Sequence, residues 1–141
     1  MNARMGLATI LFGATCLVGA ARADMINFHA TLDGASEVPP KTTQGAGEAL
    51  ATLDTATKTL TYTVTYSGLS GPATMGHIHG PAAPGANAGV VVPFKNPVDS
   101  PIHGTATLTD AQIADLTAGK YYANVHTAAN PGGEIRGQLM H

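Results

Sequence analysis

From Thr59 to Tyr66 polar and apolar residues alternate without a break, with Leu60, Tyr62, Val64 and Tyr66 on one parity and four threonines on the other. A period of two is that of a strand with one face in a core and the other in water. The same alternation marks Met25 to Leu32, with Ile26 and Phe28 on one parity, and Gly47 to Leu53, which meets the Leu60 strand through the polar turn Asp54-Thr55-Ala56-Thr57-Lys58. Further strands are predicted over Thr74 to His79, Gly89 to Phe94, Gly104 to Leu108, Tyr121 to Thr127 and Glu134 to Met140. Asn130-Pro131-Gly132-Gly133 is a turn that folds the last two back on each other as a hairpin. One helix is expected: Thr109 caps it, Gln112 completes a capping box, Leu108 and Ile113 form a hydrophobic staple and Gly119 ends it. Eight short strands and a connecting helix predict an all-β antiparallel sandwich or barrel, with Leu60, Tyr62, Val64, Ile78, Val125 and Ile135 in its core.

Composition supports this reading. The chain of 141 residues is 44% hydrophobic and 11% charged, with 17 Gly, 9 Pro and no Trp, which suits one turn-rich domain and is too apolar for a disordered chain. Seven Lys and Arg spread along the sequence, at a formal charge of −2, leave no basic footprint for nucleic acid or anionic lipid. The start differs from the rest. A basic Asn2 to Arg4, an apolar Met5 to Ala20 and Ala21-Arg22-Ala23 read as a secretory signal peptide over residues 1–23, with an uncleaved N-terminal anchor as the alternative. The apolar run is short for a membrane span, so none is expected after processing.

Cleavage there leaves a domain at 24–141, with five basic residues against nine acidic and a net charge of −4. The single cysteine, Cys16, goes with the leader. An exported domain without thiols has no disulfide, cysteine nucleophile or thiolate metal site, and stands on its core. No G-x-S-x-G, H-E-x-x-H or phosphate-loop pattern is present, and without tryptophan there is no usual sugar-stacking platform.

The remaining chemistry is imidazole. In His77-Ile78-His79 the two histidines project from one side of a strand, with Cα atoms about 6.5–7 Å apart, while Ile78 turns to the core. His126, beside the core-type Val125, offers a third ring from another strand. Three histidines from two strands suit copper or zinc, with a position left for solvent or a fourth ligand. The competing role is structural, as histidines at strand ends bond to loop carbonyls. His103, in a Pro-Ile-His-Gly loop, is a candidate to complete the set. Glu134 and Arg136 come near His126 across the hairpin on one strand face, where Arg136 pairs with an acid, holds a carbonyl or acts in catalysis.

Three blocks read together: Gly76-His77-Ile78-His79-Gly80-Pro81-Ala82, Gly119 to Thr127 with its Tyr122-Ala123-Asn124-Val125-His126-Thr127 run, and Asn130 to Leu139 with Gly133-Glu134-Ile135-Arg136-Gly137-Gln138-Leu139. With the opening Phe28 to Pro39 segment, they resemble the CHRD domain, the module named after chordin, over nearly all of residues 24–141. That resemblance implies an exported, periplasmic or extracellular, immunoglobulin-like β-sandwich. A more distant similarity is to copper-zinc superoxide dismutase, also a β-sandwich, in which an H-x-H pair and a later V-H contribute copper ligands; His77, His79 and His126 match that part. The dismutase's bridging and zinc-ligand run, disulfide and second-metal aspartate have no counterparts here. The expectation is therefore an exported protein that carries or buffers a metal ion, copper ahead of zinc, rather than an enzyme. The rivals are a non-catalytic module that binds another exported protein, and a dismutase-like redox enzyme.

Overall fold

The computed structural model describes residues 23–141; the signal peptide expected over residues 1–23 lies, but for Ala23, outside them. Eight strands and one helix follow in the order β1 (Met25–Asp33), β2 (Ala46–Asp54), β3 (Thr59–Ser67), β4 (Ala73–His79), β5 (Val90–Pro93), β6 (Ile102–Thr107), α1 (Asp110–Thr117), β7 (Tyr122–Thr127) and β8 (Ile135–Gln138). All strands join one antiparallel sheet, ordered β5-β4-β7-β8-β1-β2-β3-β6, which curls into a nearly closed, sandwich- or barrel-like wall around the core. The two edges approach one another, and Tyr62 of β3 packs on Phe94 just after β5 with ring centroids 5.0 Å apart.

Alternation accounts for the wall. Phe28, Ala30 and Leu32 of β1, Ala49, Ala51 and Leu53 of β2, and Leu60, Tyr62 and Val64 of β3 are all buried, as are Ile78, Val125 and Ile135. Leu53 and Leu60 face each other across the β2–β3 ladder, joined by a turn in which Asp54 Oδ1 accepts from the amides of Ala56 (2.9 Å) and Thr57 (3.1 Å). The helix has both capping-box bonds. It ends with Gly119 at φ +71°, its amide bonded to Leu116 O and that of Lys120 to Asp115 O, a Schellman closure that favours glycine there. Among the described residues no helix is long and apolar enough to cross a membrane.

β7 departs from alternation, because all six of its residues are buried. Ala123 and Val125 face the core. Its outer face, Tyr122, Asn124 and His126, is covered by the Gly80–Gly89 loop and the Asn130–Gly133 turn: Ala88 bonds the Tyr122 hydroxyl through its amide (3.1 Å), and Pro131 O lies 2.8 Å from His126 Nδ1.

Glu134, fully buried at the end of the β7–β8 turn, holds this region together. Its oxygens accept from Thr43 Oγ1 (2.6 Å), the Ser70 amide (2.8 Å) and hydroxyl (2.6 Å), Thr127 Oγ1 (2.6 Å) and Asn130 Nδ2 (3.2 Å). Burial pushes the carboxyl up, but the bonds from Ser70, Thr127 and Thr43 outweigh it and hold the pKa at about 2. A depressed carboxylate contributes stability that is complete above its ordinary 4.5 and lost as pH falls toward about 2. Glu134→Gln is expected to cost about 2–3 kcal/mol in urea unfolding at neutral pH, with the difference from the parent shrinking in acid. A variant with the parent's urea midpoint would contradict this role.

Candidate metal centre

The β4–β7 ladder pairs Met75 with His126, His77 with Asn124 and His79 with Tyr122. Directly opposed residues share a face, so the H-x-H pair of β4 and the V-H histidine of β7 meet outside the core while Ile78 and Val125 point into it. One ring nitrogen from each of His77, His79 and His126 lies within 4.8 Å of the others. The rings of His77 and His126 stand 4.9 Å apart, and those of His77 and His79 5.1 Å, both edge to face.

Two carbonyls orient the cluster. His126 Nδ1 faces Pro131 O at 2.8 Å and His79 Nδ1 faces Ala88 O at 3.0 Å. A carbonyl only accepts, so the Nδ1 facing it carries a proton, and the neutral form of either ring then turns its Nε2 lone pair inward. Inside, His77 Nδ1 lies 3.1 Å from His126 Nε2, and Asn124 Oδ1 lies 3.1 Å from His79 Nε2 and 3.0 Å from His126 Nε2. With the Asn124 amide oxygen turned toward the rings, imidazoles in the neutral form bring three N–H groups, and with two committed outward at most one remains for four inward-facing nitrogen and oxygen atoms. The interior of the cluster is rich in lone pairs and short of protons, which is the environment a cation fits.

Burial favours the neutral form of His77 and His126. Burial, then the neighbouring His126 and His79, push His77 down to about 4, against a small opposing effect of Asn124. Burial also lowers His126, with His79 adding to it and the Pro131 bond opposing. Neutral imidazole is the form that ligates metal.

Asn124, 3% exposed, is the centre of the arrangement and was not singled out by the sequence, although its place two residues before His126 puts it on the same strand face. Tyr122, a further two residues back, stacks on His79 with centroids 4.9 Å apart and planes at 6°. Behind them Arg136, opposite Asn124 on β8, lies 3.4 Å over the Tyr122 ring and donates to Asn87 Oδ1 at 2.8 Å and to Ala86 O. Arg136 therefore holds a carbonyl and pins the Gly80–Gly89 loop. Among the described residues it has no acid partner within salt-bridge distance, and Glu134 turns instead to Ser70, Thr43 and Thr127. His103 does not join the cluster. It belongs to β6 rather than to a loop, opposite Thr63, with Nδ1 3.0 Å from that hydroxyl, and the ring nitrogens that gather within 4.8 Å are those of His77, His79 and His126.

Glu37 was also missed, and nothing in its Ser-Glu-Val-Pro-Pro context distinguishes it. It is 4% exposed, and its Oε1 has no hydrogen-bond partner among the described residues. A cleft of about 360 Å³ beside it is lined by Ser36, Val38, Pro40, Pro84, Arg136 and Gln138, and no histidine reaches that cleft. Burial pushes the Glu37 carboxyl up to about 7, against the pull of Arg136, the Val38 amide, Lys41 and Asn124. A raised carboxyl contributes stability present below 4.5 and lost as pH rises through about 7. Glu37→Gln is therefore expected to be more stable than the parent above pH 7, by a margin that shrinks toward pH 4.5, in urea titrations across that range. Parallel curves for the two proteins would contradict the assignment.

The sequence matches the CHRD domain over residues 28–139, within the predicted 24–141 unit. CHRD domains occur in extracellular or secreted proteins. The chain matches no curated protein and no solved structure, and neither comparison shows the similarity to copper-zinc superoxide dismutase. The ordered blocks around His77, His126 and Arg136 and the eight-stranded wall that carries them lead to one assignment: the chain belongs to the CHRD domain family.

Proposed function

We propose that this CHRD domain is an exported copper-binding protein that carries or buffers the ion through His77, His79 and His126. The observation that supports it is the proton deficit inside the cluster, where the carbonyls of Ala88 and Pro131 take the outward N–H groups and leave inward lone pairs facing one another. The donor set is nitrogen without thiolate. On such a set Cu²⁺ binds more tightly than Zn²⁺ or the earlier divalent ions, and neutral imidazoles also accept Cu⁺. Carriage fits better than turnover. No second cluster of metal-ligating side chains occurs among the described residues, and the net charge of −4 expected for residues 24–141 attracts no anionic substrate.

A second reading has a specific basis, since CHRD is a protein-interaction module type: the histidines would then tie loops, and the partner would be another exported protein. Replacing His77, His79 and His126 together by Gln separates the two. The metal protein loses its copper and keeps its β-sheet circular dichroism, whereas the interaction module keeps its partner capture. A folded triple variant with parental copper affinity would overturn the metal reading.

Acid dependence gives an independent check. Protons compete for imidazole lone pairs, and because His77 is depressed to about 4, copper affinity is expected to fall gently across roughly pH 8 to 5 and steeply as pH approaches 4. Competition titrations with copper and zinc over that range measure it. A preference for zinc, or an affinity indifferent to acid, would contradict the three-histidine copper centre.

A further inference from the structure

The ligand face of β4 extends beyond the histidines. The register is regular from His79 back to Met75, and the shift in the ladder falls only beyond it, between Ala73 and Met75. Met75 therefore stands on the same face as His77 and His79 and directly across from His126. Opposed side chains in an antiparallel pair have Cβ atoms about 4.5–5.5 Å apart, and Met75 to His77 is the same two-residue step that joins His77 to His79, with Cα atoms about 6.5–7 Å apart. A thioether on three rotatable bonds spans such distances.

The position is open where the rest of the cluster is closed. His79 is backed by the Tyr122 ring and the Ala88 carbonyl, His126 by Pro131 and Asn124. Met75 is 44% exposed and takes no part in the hydrophobic core, so core packing does not fix its side chain. On this face it adds the one soft donor to three nitrogens, and thioether sulfur favours Cu⁺ over Zn²⁺.

We propose that Met75 Sδ is the fourth ligand of the centre and makes it selective for cuprous copper. This rests on the three-histidine reading above, and the experiment separates the two. The whole protein, Met75→Leu and His126→Gln are titrated anaerobically with Cu⁺ against the chromophoric chelator bicinchoninate and, separately, with Zn²⁺ against a zinc dye, while X-ray absorption reports the ligand shells of Cu⁺-loaded parent and Met75→Leu. Leucine is close in volume and has no donor. Met75→Leu is expected to lose Cu⁺ affinity by about tenfold or more, to keep its Zn²⁺ affinity, and to lose a sulfur scatterer that the parent shows. Equal Cu⁺ affinity in parent and Met75→Leu, or parallel losses for both ions, would overturn the assignment of Met75 while leaving the histidine centre standing. Parental Cu⁺ binding by His126→Gln, or no Cu⁺ binding by the parent, would overturn both.

Discussion

The pairing of β4 with β7 is the constraint on which the centre depends. These strands are separated in sequence by a hairpin partner, another strand and the helix, yet their ladder opposes His77 to Asn124 and His79 to Tyr122. A slip of β4 by one residue would turn Ile78 outward and His77 and His79 into the core, away from His126. Both apolar residues are essentially inaccessible, so the register that buries them is the register that gathers the histidines. The core and the site are thus two faces of one choice.

Around that ladder the loops supply acceptors. Ala88 and Pro131 carbonyls fix which nitrogen of each ring carries its proton, and each loop is secured from elsewhere: Arg136 holds Ala86 and Asn87, while Glu134 holds Asn130, Thr127 and Ser70. The two charged residues of the β8 hairpin therefore act through the backbone that orients the imidazoles. Burial under these loops lowers His77 and His126 and keeps them in the ligating form. The same burial leaves Glu37 as a carboxyl of raised pKa beside Asn124.

Local features were legible in the sequence. The capping box at Thr109 and Gln112, the alternation from Thr59 to Tyr66 and the H-x-H spacing each depend on neighbours a few residues apart, and each is found as expected. That His126 belongs with His77 followed from the valine beside it and from the family pattern. Partners set by long-range pairing were not legible. His103 lies in β6, whose register with β3 carries it to Thr63; Pro101 before it suggested a loop, but the strand begins at Ile102, which is buried. Asn124 and Tyr122 share the parity of His126, yet only the covering loop, whose uncharged composition lets it lie on the sheet, makes that outer face a buried polar site. Glu37 reaches Asn124 through a connection that no periodicity encodes.

The function proposed for the imidazole cluster is to hold copper. Its most direct test is elemental analysis of the protein purified, without added metal, from the compartment to which its own cells export it. The account predicts copper equimolar with protein, released by acid. Protein that is folded and carries no copper, or carries zinc in its place, would contradict it.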